Sequence, residues 1–213
     1  MISVIIPVFN GEKFIGRCLR SLLNQTLSRE KYEIIVINDA STDKTEYALK
    51  LFKEDIKVIK NKKNIGLPAS LNKGINLSNS EFIVRVDSDD YVGVHFLQIL
   101  SEFLLQNKYM HAVACDYVLI DEKEKVISRE NCLSKPIGCG IMFRKKFLKK
   151  INLYDEILLR HEEQDLRKRF LIDYKIFRAE IPLYRYRRHK DNITNDKEKM
   201  GYHLKILKKK HNE

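Results

Sequence analysis

The sequence predicts an α/β fold, with a mostly parallel central sheet flanked by helices and a mixed or antiparallel portion after it. Three observations carry this expectation. Up to about residue 110, short β-branched apolar runs alternate with segments of helical periodicity, which is the rhythm of βαβ units. Past that point the rhythm gives way to paired extended runs. No repeat, low-complexity stretch or linker divides the 213 residues, which include only 8 Gly and 4 Pro. That length suits one well-buried core and is short for two.

Residues 2–6 (ISVII) form a continuous apolar run and read as a strand buried on both faces. Over 12–24, Phe14, Cys18 and Leu22, with Ile15, Leu19 and Leu23, recur at spacings of four, the stripe of an amphipathic helix. "EIIVI" (33–37) is a second buried strand, and Asp43 is placed to cap the helix that follows. "IKVIK" (56–60) is a shorter strand, followed after "NKKNIGLP" by a helix carrying Leu71 and Ile75. "FIVRV" (82–86) is the fourth strand, with a helix over 94–106. Further on, "HAVACDYVLI" and "KVISR" flank "DEKEK" as a hairpin. Residues 137–143 read as a strand, 144–151 and 162–173 as helices, and "IFRAEIPLYRYRR" as extended.

Composition narrows the class. The chain is 44% hydrophobic and 32% charged and has no apolar run long enough to span a membrane. Its N-terminus reads as a strand rather than a signal peptide. Cys18, Cys115, Cys132 and Cys139 form no CxxC pair, so buried thiols and a cytoplasmic location are expected. The formal net charge of +11 is unevenly placed. Basic runs crowd the second half (143–150, 185–190, 204–211) and acidic clusters the first, as in a protein with one anion-facing side.

In open parallel sheets, ligands bind outside the carboxyl ends of the strands. The first predicted strand runs into Pro7-Val8-Phe9-Asn10, the second into Asn38-Asp39, and the fourth into Asp87-Ser88-Asp89-Asp90. Separate strand ends thus deliver polar or acidic groups to one edge. Neither GxGxxG nor GxxxxGK[ST] is present, so phosphates are not expected on a glycine-rich turn. Carboxylates favour Mg²⁺ or Mn²⁺, which bind phosphates in turn. If the segment is extended, Asp87 and Asp89 face the same way.

The motifs "SVIIPVFNGEKFI", "VINDASTDKT", "NIGLPASLNKGI", "RVDSDD", "GCGIMFRKKFL", "HEEQDL" and "YRYRRHKDNIT" occur in one order over residues 1–195. In this the chain resembles the family 2 glycosyltransferases, inverting enzymes of the GT-A (Rossmann-like) fold that use nucleotide-diphospho-sugars. The resemblance implies a single domain over 1–195, with a nucleotide-binding half (1–110) and an acceptor and catalytic half (111–195). A basic amphipathic tail (196–213) follows.

Under that resemblance Pro7, Phe9, Asn10, Glu12, Asp39, Gly66, Asn72, Asp87 and Arg188 fall on the donor side. Asp39 would accept a base imide N–H, which favours UDP. Asp89, with Asp87 and His189, would hold Mn²⁺ or Mg²⁺, and Asp90 is either a second ligand or a helix cap. Glu163 takes the position of the catalytic base, where Asp is usual, and Asp165 is the alternative. Gly138, Gly140 and Glu162 lie on the acceptor side. The implied reaction moves a sugar to a hydroxyl of a glycan or lipid-linked acceptor in cell-surface polysaccharide or lipopolysaccharide synthesis.

Residues 198–211 place Met200, Leu204 and Leu207 on one helical face among lysines. Such a segment suits peripheral contact with the inner face of the cytoplasmic membrane, or equally a solvated or homodimer-packing helix. Acid-lined strand ends disfavour nucleic acid. The alternatives are a sugar-nucleotidyltransferase, which lacks its glycine-rich signature loop here, and a non-catalytic binding protein.

Overall fold

A computed structural model describes residues 1–212. Seven helices and nine strands are present among them. The strands are β1 (Ile2–Val8), β2 (Tyr32–Asn38), β3 (Lys57–Lys60), β4 (Phe82–Arg85), β5 (Tyr91–Val92), β6 (Ala112–Ile120), β7 (Val126–Glu130), β8 (Ile141–Arg144) and β9 (Ile176–Arg187). The helices are α1 (Ile15–Leu23), α2 (Thr45–Lys50), α3 (Leu67–Leu77), α4 (Phe96–Gln106), α5 (Lys145–Lys150), α6 (Glu162–Asp173) and α7 (Lys197–Lys210).

All strands join one sheet in the order β3-β2-β1-β4-β8-β6-β9-β5, with β7 paired to β6. The β3-β2-β1-β4 part is parallel. β8 then runs antiparallel between β4 and β6, and β9 lies parallel to β6. The carboxyl ends of β1, β2, β4, β6 and β9 therefore open on the same edge. β1 is buried throughout because helices cover both faces of its sheet. The period of two sorts its side chains: Val4 and Ile6 pack with Ile15, Leu19 and Leu100, while Ile5 packs with Leu71, Ile75 and Phe170.

Four expectations need correction. β8 starts at Ile141, not 137, because Gly140 turns at φ 72 before the chain enters the sheet. β4 ends at Arg85, so the acidic trio lies in a turn closed by Asp90 N–H donating to Asp87 O (3.1 Å), not in an extended segment. The N-cap of α2 is Lys44, although Asp43 still accepts from Thr45 N at 2.9 Å. The apolar stripe of α7 turns inward, with Leu207 buried and the backbone oxygen of Met200 3.1 Å from His161 Nε2. Its lysine face, not its apolar face, meets solvent. No helix among the described residues is long and apolar enough to cross a membrane.

Candidate active site

The site forms where β4 ends against the start of α6 and the end of β9. Arg85, the last residue of β4, reaches Asp87 in the turn that follows. Its Nε and Nη2 donate to Asp87 at 2.6 and 3.1 Å, and its Nη1 donates to Glu162 Oε1 at 2.9 Å. Burial alone would lower the Arg85 pKa, but Asp87 and Glu162 outweigh it and raise it well above its ordinary value. Burial raises the Glu162 carboxyl to about 7; Arg85 pulls it down and neighbouring Glu163 pushes it up. One buried cation thus ties the acidic turn to the first turn of α6.

The acidic trio divides by partner. Asp89 Oδ2 lies 2.8 Å from His189 Nε2 and 3.4 Å from Asn192 Nδ2. Asp90 is buried and accepts from Tyr184 Oη and from Arg187 N, both at 2.7 Å. Burial, then repulsion from Asp89 and Asp87, raises its pKa well above the carboxylate range. Asp90 is thus held by two donors from β9, and it is not a helix cap, since His95 caps α4. Asp87 and Asp89 do not converge, because the turn sends one to Arg85 and the other to His189.

Two donor sets could be considered for a divalent cation. Asp87, Asp90 and Cys139 have ligand atoms within 4.8 Å of one another. Burial raises the Cys139 pKa well above its usual value, so the thiol keeps its proton, and a soft sulfur is a poor partner for Mg²⁺ or Mn²⁺. Asp89 and His189 fit better. They face each other at 2.8 Å, Asp89 is partly open to solvent, and His189 Nδ1 is buried without a hydrogen-bond partner among the described residues.

The other predicted residues separate by geometry. Phe9 is 49% exposed at the end of β1, an aromatic surface free to stack. Pro7 is buried within β1. Asn10 Oδ1 accepts from Thr42 N (2.8 Å) and Glu12 Oε2 from Lys44 N (2.7 Å), so both staple the exits of β1 and β2 together. Asp39 is buried and accepts from Asn61 Nδ2, Ile65 N and Gly66 N at 2.8–2.9 Å. It shapes the loop ahead of α3. Gly66 has φ 89, and a Cβ there would lie 2.7 Å from Leu159.

Asn72 is engaged by protein partners. Its amide donates to Tyr154 O and Glu156 Oε1 and accepts from Tyr154 N, which fixes α3 to that segment. Gly140 packs closely, since a Cβ there would press on the Tyr184 ring at 3.3 Å. At Gly138 a Cβ would lie 2.7 Å from Arg85 Nη1 and 3.0 Å from Glu163 Cβ, so this glycine lets the loop close on both.

The two candidate bases part clearly. Glu163 is partly exposed beside Gly138, and its carboxylate has no hydrogen-bond partner among the described residues. Asp165 is fully buried. It accepts from Arg169 Nε at 2.8 Å, lies 2.9 Å from His211 Nε2, and pairs with Lys210 at 2.7 Å. Burial pushes the Asp165 pKa up, but these hydrogen bonds outweigh it and hold it below the usual value. Asp165 anchors α7, its oxygens taken up by Arg169, Lys210 and His211.

Arg188 is exposed and its guanidinium carries no ion pair among the described residues, whereas Arg187 is buried. Arg187 stacks on Phe14 (4.8 Å), pairs with Glu124 (3.1 Å) and donates to Asp89 O (2.8 Å). Sequence reading passes over Arg85, Tyr184 and Asn192, and it reads Arg187 as part of a solvated basic loop, whereas Arg187 is buried. Only Arg85 left a signal: a lone charge inside an apolar strand, two residues before an acid.

A profile of the family described as "Glycosyl transferase family 2" matches residues 3–174. A poly(ribitol-phosphate) beta-glucosyltransferase of Bacillus spizizenii is 42% identical over 111 residues, covering 50% of this chain and 18% of that protein. The structure of S. aureus TarS 1–349 in complex with UDP-GlcNAc superposes with TM-score 0.82 at 20% identity, covering 97% of this chain and 65% of that one. A mannosyltransferase of Pyrobaculum calidifontis in complex with GDP-Man and Mn²⁺ superposes with TM-score 0.78 at 17% identity, covering 99% and 63%. At these identities the two structures share the fold. The chain thus spans less than two thirds of the length of these proteins, and under a fifth of the Bacillus one.

Proposed function

The chain belongs to glycosyl transferase family 2, and on that premise we propose that it transfers a sugar, with inversion, from a nucleotide-diphospho-sugar to an acceptor hydroxyl. The observation that carries this reading is the free carboxylate of Glu163. It stands one residue from Glu162, which Arg85 ties to Asp87 at the end of β4.

Glu163 takes the proton of the acceptor hydroxyl as that oxygen bonds to the anomeric carbon. The bond from that carbon to the terminal phosphate oxygen breaks, and the nucleoside diphosphate leaves. Attack opposite the leaving group turns an α-linked donor into a β-linked product. Arg188, exposed and unpaired, meets the charge on the departing diphosphate. Asp89 and His189 would hold Mn²⁺ or Mg²⁺, which when bound neutralises diphosphate charge. Phe9 stacks on the base, and Asp39 orders the loop beneath it through Ile65 and Gly66.

UDP is the favoured nucleotide and UDP-GlcNAc is the ligand in a similar fold, which supports the reading without choosing the sugar. The acceptor is a surface glycan or polyol chain; the Bacillus relative is named for poly(ribitol-phosphate). Residues 1–195 act as one unit, and α7 closes against it through Asp165. Any contact with an anionic membrane surface would rest on the lysines of α7.

Hydrolysis of UDP-, GDP- and dTDP-sugars with Mn²⁺, with and without chelator, tests the proposal. Chelator-sensitive release of one nucleoside diphosphate is expected. No release from any donor, with none bound, removes the enzymatic reading.

A further inference from the structure

Helix α6 carries two opposite charges on one face that do not meet. Glu163 and Arg167 are four residues apart, in the orientation that favours an ion pair. No hydrogen bond or salt bridge joins them, and neither side chain has such a partner elsewhere among the described residues. Both line a cavity of about 100 Å³ between the Pro136–Gly138 loop and α6, walled by Ile141, Phe143 and Ile176.

Arg167 Nη1 is buried with no acceptor among the described residues. Arg167 as a residue is partly exposed, but a buried guanidinium N–H among apolar side chains is costly unless something completes it. Burial accordingly lowers its pKa from the usual value. The nearby carboxylate does not fill the gap, which leaves Nη1 open to an anion from outside. Glu163 repels that anion, which fixes its place at the Arg167 end.

We propose that this cavity is an acceptor subsite in which Arg167 binds a phosphate ester, while a hydroxyl of the same acceptor unit lies at Glu163. This rests on the transferase reading above and adds the acceptor's charge to it. Four helical residues advance about 6 Å, a span of the same order as that from a phosphate to a hydroxyl further along one polyol unit. The guanidinium fork matches phosphate oxygens, and apolar walls strengthen the interaction by excluding water.

The test is binding of glycerol 1-phosphate, glucuronate and glycerol to the 213-residue chain, followed by NMR with chelator present. Glycerol 1-phosphate is expected to shift signals of Gly138 and of the Arg167 side chain, and glycerol to leave them in place. Arg167→Gln should weaken that binding by about tenfold or more, the loss of one charged hydrogen bond. Arg167→Lys should fall between, and Glu163→Gln should bind at least as well as the natural chain. Equal binding by a folded Arg167→Gln variant, shifts confined to Arg188, or preference for glucuronate would overturn the proposal. Donor turnover is measured apart. Phosphate binding at Arg167 without any donor turnover would uphold the subsite and sink the transferase reading.

Discussion

His189 Nε2 lies 2.8 Å from Asp89 Oδ2, joining the end of β9 to the acidic turn after β4. The pairing selects Asp89 from three neighbouring aspartates, since Asp87 is held by Arg85 and Asp90 is buried under Tyr184 and Arg187. His189→Ala is expected to weaken Mn²⁺-dependent UDP binding by about 10–100-fold, the scale of losing a metal-site partner. Asp90→Asn is expected to lower the melting temperature instead. Calorimetric titration of UDP with and without Mn²⁺ checks this. Metal-dependent affinity unchanged in His189→Ala would take His189 out of the metal site.

Glu163→Gln is expected to lower kcat by about 10²–10⁴-fold, the range of a general base, with little change in stability. The carboxylate makes no hydrogen bond in the fold, so replacing it leaves no buried partner stranded. Steady-state transfer assays beside thermal melts separate the two effects. A loss below tenfold would assign the proton to another group.

Arg85 couples both halves of the site, and its replacement should show that. Arg85→Ala leaves Asp87 and Glu162 without their shared cation and is expected to cost about 3–5 kcal/mol, as breaking a buried pair does. Arg85→Lys keeps the charge but not the fork, so it should retain more stability than activity. Urea unfolding and kcat, measured on both variants, test the coupling. Equal loss of stability in the two would reduce Arg85 to a structural charge.

Glu162 gives a pH prediction. Its carboxyl sits at about 7 in the fold, above the usual 4.5. The folded state therefore holds this proton more tightly than the unfolded chain. The associated stability is full below about pH 4.5 and is lost as pH rises through about 7. Glu162→Gln should flatten the decline between those values, seen in urea midpoints at pH 5 and pH 8. An unchanged slope would show that Arg85 keeps Glu162 ionised throughout.

Much of this was legible in the sequence for a physical reason. Buried parallel strands must be continuously apolar, so β1, β2 and β4 stood out, and ligands gather where such strands end. The acidic cluster at Asp87–Asp90 was marked that way, whereas His189 and Glu163 came only from the family resemblance. The turn that separates Asp87 from Asp89 was not legible, because its hydrogen bond and the pull of Arg85 are set by packing. Asn72, Glu12 and Asp165 are polar residues near the site with partners 32 to 84 residues away in sequence, Asp165 having Arg169 close by as well. Nothing local distinguishes a polar residue occupied by such a partner from one awaiting a ligand.

Asp165 makes the last prediction. It is fully buried, and its partners Arg169, Lys210 and His211 fix α7 against α6. Asp165→Asn removes the charge that all three share. The expected cost lies near the lower end of about 3–5 kcal/mol, because the three cations remain partly solvated. The wild-type pKa is depressed in the fold, so the stability it contributes is present above about pH 4 and is lost as pH falls through the folded value. The variant should therefore show less acid sensitivity as well as a lower urea midpoint at pH 7. Hydrogen exchange localises the effect: amides of Lys197–Lys210 should lose protection while those of β1 keep theirs. If Asp165→Asn instead abolished transfer with α7 still protected, the base would have to be sought at Asp165 and not at Glu163.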